Sequence, residues 1–247
     1  MKFYYVPHSR GRARGAVLLL LLLVLSLGAA SLLMATTPSN AARARHQTEA
    51  TQQQLVAARE ALIGYAVAHG RLPRPAMSAL DGRESPQACS DDRSCTGFLP
   101  WNTLGISGTD AWGKLLQYSV TPAFTAASVV VTATVGSKRI LGRRGADLVY
   151  LQGYPSCGLS AQCLPAVIWS AGPRNLGTSA LGLPQASLDL DNQDEQANAM
   201  ASVSFIVRGS TPEPALGGPY SQQFEWVPIL PLLLRMAAAA PALPPPG

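Results

Sequence analysis

Between residues 16 and 35 the chain reads AVLLLLLLVLSLGAASLLMA, twenty residues in which only Ser26 and Ser31 are polar. As a helix rising ~1.5 Å per residue, this run measures about 30 Å, the hydrocarbon thickness of a bilayer. The sequence therefore predicts one membrane-spanning helix over 16–35, and no second run of this kind occurs. Lys2, Arg10, Arg12 and Arg14 precede it without an acidic residue among them. The positive-inside bias then puts the N-terminus in the cytoplasm and the rest of the chain across the membrane. A cleaved signal peptide is the competing reading, with Ser39 and Ala41 as small residues near a cut, but its apolar core usually runs only about 7–15 residues. Gly15 stands where the basic leader meets the apolar run, so a peptidase acting on the cytoplasmic face could cut between Gly15 and Ala16.

Composition excludes several classes. Hydrophobic residues are 47% of the 247 and charged residues 13%, too apolar and too weakly charged for a wholly disordered chain. The formal charge of +5 is mostly the leader's, leaving +1 after Gly15, and no clustered stripe of Lys and Arg remains to neutralise a phosphate backbone. Nucleic acid is therefore not an expected partner.

Pro38 interrupts any helix that enters it. From Ala41 to His69, AARARHQTEATQQQLVAAREALIGYAVAH is rich in helix formers and sets Leu55, Ala58, Leu62 and Ala66 at three-and-four spacing, an amphipathic helix whose stripe needs a partner surface. Gly70 and Pro73 stop it. If collinear, residues 16–69 make a rod of roughly 80 Å. Beyond Gly113 the pattern becomes strand-like, with runs at Leu115–Thr121, Ser128–Val135, Asp147–Gln152, Ala166–Ser170, Val203–Val207 and Phe224–Val227. Their links mostly lack room for a crossover, so antiparallel pairing is expected. Residues 172–198 read as a long loop, Leu230–Ala240 as a short helix, and PALPPPG as an extended tail.

The chemistry-bearing residues are few. Cys89 and Cys95, and Cys157 and Cys163, form two pairs of equal spacing in loops. In an oxidising exported compartment these read as two local disulfides; zinc is the alternative, though the spacing is wide and no histidine lies nearby. His8, His46 and His69 are the only histidines, and no HExxH, GxSxG or phosphate loop occurs, so no catalytic residues are assigned and no enzyme is expected. Asp91 and Asp92 read as a solvated turn. Asp189, Asp191, Asn192, Asp194 and Glu195 alternate oxygen-rich side chains that could wrap Ca²⁺ without the EF-hand pattern, or else form a solvated acidic turn or helix start; beyond calcium no cofactor is expected.

Three phrases carry a resemblance: Gly70-Arg71-Leu72-Pro73 at the end of the long helix, Leu99-Pro100-Trp101, and Asp110-Ala111-Trp112-Gly113 leading into a strand. With the basic leader ending in Gly15 and the Trp226-Val227 and Arg235-Met236-Ala237-Ala238 phrases near the end, the chain resembles type IV prepilins and type II secretion pseudopilins, in particular a minor pseudopilin subgroup. The resemblance implies an α+β, pilin-like fold: a long N-terminal helix, its first half membrane-spanning, packed on a small antiparallel sheet with long disulfide-bearing loops. The implied segments are a leader at 1–15, a transmembrane helix at 16–35, its periplasmic continuation at 36–70, a globular domain at 71–240 and a Pro-rich tail at 241–247. It further implies a non-catalytic subunit of a periplasmic filament serving protein transport, anchored once in the inner membrane. Its partners would be other pilin-like subunits, an inner-membrane assembly platform, and a prepilin peptidase that cuts after Gly15 and methylates Ala16. Calcium-binding loops occur in that class. The Glu usual at the fifth position after the cut is Leu20 here, which suggests a tip-proximal place. The reading from a different class is a signal-anchored periplasmic enzyme or ligand-binding domain.

Overall fold

The computed structural model describes residues 1, 15, 17–26, 39–127, 129–130, 132–174, 177–185, 192–208, 218 and 220–239. Contacts divide the chain into two units, Met1–His46 and Gln47–Gly247. In the first unit, α1 covers residues 17–26, and its apolar side chains from Val17 to Leu25 are exposed. Ser39 opens the next helix, α2 (Asn40–His69), by accepting the Ala42 N–H on its hydroxyl at 3.1 Å.

The second unit is layered. Its elements are β1 (Thr96–Phe98), α3 (Trp101–Leu104), β2 (Gln117–Val120), a 3₁₀ turn (Pro122–Thr125), β3 (Arg139–Arg144), β4 (Asp147–Gln152), β5 (Ala166–Ser170), β6 (Gly177–Thr178), β7 (Pro184–Gln185), α4 (Gln193–Met200), β8 (Ser204–Val207), β9 (Gln223–Val227) and α5 (Ile229–Ala239). An antiparallel sheet in the order β1-β2-β5-β9 forms the middle layer. Central β5 is buried along its whole length and divides its side chains between two cores. Ala166 and Ile168 join Tyr118, Val120 and Val227 under the α2 stripe of Leu55, Ala58, Leu62, Ile63 and Ala66, with Leu232 and Met236 of α5. Val167 and Trp169 face the other way, onto Phe224, Ile140 of β3 and Phe205 of β8. That second core belongs to a sheet ordered β4-β3-β8, while β6 and β7 form a small hairpin.

Several expectations are corrected here. The fold is α+β, but among the described residues it has no long apolar helix. The described apolar helix is the ten residues 17–26, about 15 Å at helical rise and half of what a bilayer core requires, and α2 is a separate, largely polar helix. Among the described residues no helix is long and apolar enough to cross a membrane. This overturns the membrane-spanning first half of a pilin-like helix at 16–35 and, with it, the single-pass inner-membrane localisation; residues 27–38 lie outside the described residues. In place of one small antiparallel sheet the described residues form three sheets, and β3 and β8 pair parallel, because the long connection between them, ending in α4, supplies the crossover that such pairing needs. The expected strand at 128–135 is not one in its described residues: the N–H groups of Ala133 and Thr134 turn back to the Val130 carbonyl. The 172–198 loop contains β6, β7 and the start of α4.

Candidate functional site

The three phrases that carry the resemblance pack along α2, the third of them at its first half. Gly70 ends the helix with φ +69°, in the left-handed region, its N–H on the Ala66 carbonyl at 2.8 Å. The chain then turns inward: buried Leu72 donates its N–H to Phe124 O at 2.7 Å, and the Pro73 carbonyl accepts the hydroxyl of buried Tyr118 at 3.1 Å. Burial pushes the Tyr118 phenol well above its ordinary pKa, so it stays a donor. Leu99 is buried and hydrogen-bonds Leu116 O, while Trp101 opens α3 against Gly82 and Gly108. A Cβ at Gly108 would come within 2.5 Å of the indole. Asp110 organises the third phrase from a buried position: Oδ1 accepts the N–H groups of Trp112 and Lys114 at 2.9 Å each, and Oδ2 accepts the Ser170 hydroxyl at 2.6 Å. The adjacent Ala111 N–H reaches Thr51 Oγ1 of α2 at 3.1 Å, tying the turn to the helix.

Glu84 anchors the same helix end. Its carboxylate receives two bonds from Arg71 at 2.7 and 2.8 Å, the Tyr65 hydroxyl at 2.9 Å and the Arg74 N–H at 3.0 Å. Burial alone would raise its pKa, but these donors prevail and hold the carboxyl at about 2. Along the exposed flank of α2, Arg59 pairs with Glu225 at 2.7 Å and Glu60 with Arg235 at 2.8 Å, joining the helix to β9 and α5.

Both cysteine pairs are disulfides, Cys89–Cys95 and Cys157–Cys163. Asp92, inside the first loop, is not the solvated turn residue expected. Its Oδ1 accepts the Nζ of fully buried Lys138 at 2.7 Å and the Ser137 hydroxyl at 2.5 Å, and Lys138 also donates to Ser202 O at 2.6 Å. Desolvation lowers the Lys138 pKa to about 8 against the opposing pull of Asp92. Backbone bonds between Lys138 and Leu164 link this segment to the second disulfide loop. Asp91 is turn chemistry, its carboxylate on the N–H and hydroxyl of Ser94.

Of the acidic set, Asp189 and Asp191 lie outside the described residues. Asp194 and Glu195 are buried in the first turn of α4, capped by Asn192. Asp194 takes Arg143 through both oxygens, with Arg208 at 3.8 Å, and Glu195 Oε1 accepts the N–H groups of Ser221 and Gln222. A calcium ion at these two carboxylates would share Asp194 with two guanidiniums. Among the described residues no group of three or more His, Cys, Asp or Glu is placed to hold a metal. Gly15 is helical and exposed with open space around its Cα, and Ala16 lies outside the described residues.

Sequence reading did not find the Arg71–Glu84, Lys138–Asp92 and Arg143–Asp194 pairs. Arg71 stood inside a quoted phrase, a usable signal. The other two join residues about fifty positions apart and leave no local pattern. Comparison with protein-family models, with curated proteins and with solved structures finds no match.

Proposed function

We propose that this chain is a non-catalytic, prepilin-type subunit, of the minor pseudopilin kind, that assembles with other pilin-like subunits into a filament serving type II secretion or a related pilus system. The observation that supports this best is the frame around α2. The Gly70–Pro73 turn, Leu99-Pro100-Trp101 and Asp110–Gly113, which carry the resemblance as separate phrases, are hydrogen-bonded to one helix-on-sheet core. Their polar groups are occupied in holding that core, the work of a structural subunit. The two disulfides agree with assembly in an oxidising compartment.

In this reading a prepilin peptidase removes residues 1–15 and methylates Ala16, and assembly on a membrane platform is driven by an ATPase acting elsewhere. Leu20 offers no carboxylate to pair with the N-terminal ammonium of the subunit ahead, which suits a subunit that has none ahead of it, at or near the tip. Isolation of intact filaments from the source cells tests this. The expected result is co-purification with pilin-like subunits at low copy number. Recovery of the chain apart from any such subunit overturns the filament reading, and recovery as the most abundant shaft subunit overturns the tip assignment.

A further inference from the structure

The three-stranded sheet treats its two edges differently. At β8, the Asn198 side chain occupies the outer edge: Oδ1 accepts the Ile206 N–H and Nδ2 donates to the Ile206 carbonyl, both at 2.7 Å, and the Tyr220 hydroxyl adds a third bond. Such plugging is how a sheet edge is kept from recruiting another strand. The opposite edge, β4, has no such cover among the described residues. Arg144 and Asp147 close a two-residue turn, so that pair exchanges both backbone bonds and the pairs Arg143–Leu148 and Leu141–Tyr150 exchange none. Leu148 and Tyr150 therefore turn their N–H and C=O groups to the open edge, where they meet no partner among the described residues. No Pro, Lys or Arg lies within β4, and Leu148, Tyr150 and Leu151 are 43%, 45% and 51% exposed.

We infer that β4 is a homotypic interface: two copies of this chain join β4 to β4, antiparallel, about a two-fold axis at Val149. Only donors and acceptors at Leu148 and Tyr150 are available, so the register must set Leu148 opposite Tyr150 of the second copy and Tyr150 opposite its Leu148. That register makes two aliphatic–aromatic cross-strand pairs on one face and brings the two Val149 side chains together on the other. Asp147, the one charge in the strand, falls opposite Leu151, with the two carboxylates about 13 Å apart along the strands, so like charges do not meet. The product is one continuous six-stranded sheet, β8-β3-β4-β4-β3-β8, with Asn198 sealing both ends. The inference stands on this sheet alone and not on the proposed function.

Two measurements on the full-length chain test it. A Val149→Cys variant should crosslink to a homodimer under mild oxidation much faster than a Leu159→Cys control, a more exposed site off the strand, since both native cysteine pairs are already closed. Equal rates at the two sites overturn the register. Sedimentation velocity should show a concentration-dependent dimer that Tyr150→Pro weakens by about tenfold or more, because this proline removes an outward donor and no ladder bond to β3. Leu148→Lys, which leaves the backbone intact, should weaken it likewise should the proline variant misfold. A wild-type chain that stays monomeric at high concentration, or a dimer indifferent to both substitutions, overturns the interface.

Discussion

The buried charges of this chain act as fasteners, and their pH dependence separates them. Glu84 has its pKa held at about 2 against an ordinary 4.5, so its contribution to stability is fully present above pH 4.5 and is lost as the pH falls towards 2. Urea midpoints measured across that range should fall more steeply for the wild type than for Glu84→Gln. Lys138 has the opposite dependence. Its folded pKa of about 8 lies below the ordinary 10.5, so the unfolded chain binds the proton more tightly and stability from this group rises with pH between those values. The rise should be absent in Lys138→Met. Removing the counter-ion with Asp92→Asn strands a fully buried ammonium and should cost about 3 kcal/mol at neutral pH, read by chemical denaturation. None of these roles is written in a neighbouring residue, and for this reason Asp92 reads from sequence as an ordinary turn aspartate.

Among the elements, legibility follows the range of the signal. The α2 stripe at Leu55, Ala58, Leu62 and Ala66 was visible because its period is local, and β4, β5 and α5 were found within a residue of their bounds from their apolar, β-branched or aromatic content. Strand β3, RILGRR, was missed. Its arginines argue against a strand until Asp194 of α4 is brought to Arg143 by the parallel β3–β8 pairing, a contact fifty-one positions away. The run at 128–135 differs in the other direction: in its described residues Ala133 and Thr134 turn back to Val130, and β-branched content without a partner strand does not make a strand. The disulfide pairing is legible from spacing and compartment, whereas the partners of Asp194 and Glu195, an arginine and two backbone donors distant in sequence, are not. At this scale the layer contact is the vulnerable one. Leu62→Ala, on the buried stripe of α2 in the first core, should cost about 2–5 kcal/mol in equilibrium unfolding, whereas Leu80→Ala, on an exposed loop, should stay within about 0.5 kcal/mol.

At the level of the whole molecule, the folded unit from Gln47 onward is a helix layer, a four-stranded sheet and a second sheet, held by two cores and by ion pairs that tie α2 to β9 and α5. The carboxylates of Glu84, Asp92, Asp110 and Asp194 are engaged within its own architecture, and the proposed role is one of assembly. That role depends on what happens at the other end of the chain, where Gly15 stands exposed before the apolar residues of α1. The most direct measurement is the mature N-terminus, determined by intact mass and N-terminal peptide sequencing of the full-length chain expressed with and without a prepilin peptidase. The account requires Met1 to be retained without the enzyme, a new N-terminus at Ala16 with it, and no processing of Gly15→Leu. An N-terminus that stays at Met1 in the presence of the peptidase, or one that falls beyond residue 35 in either case, would contradict it.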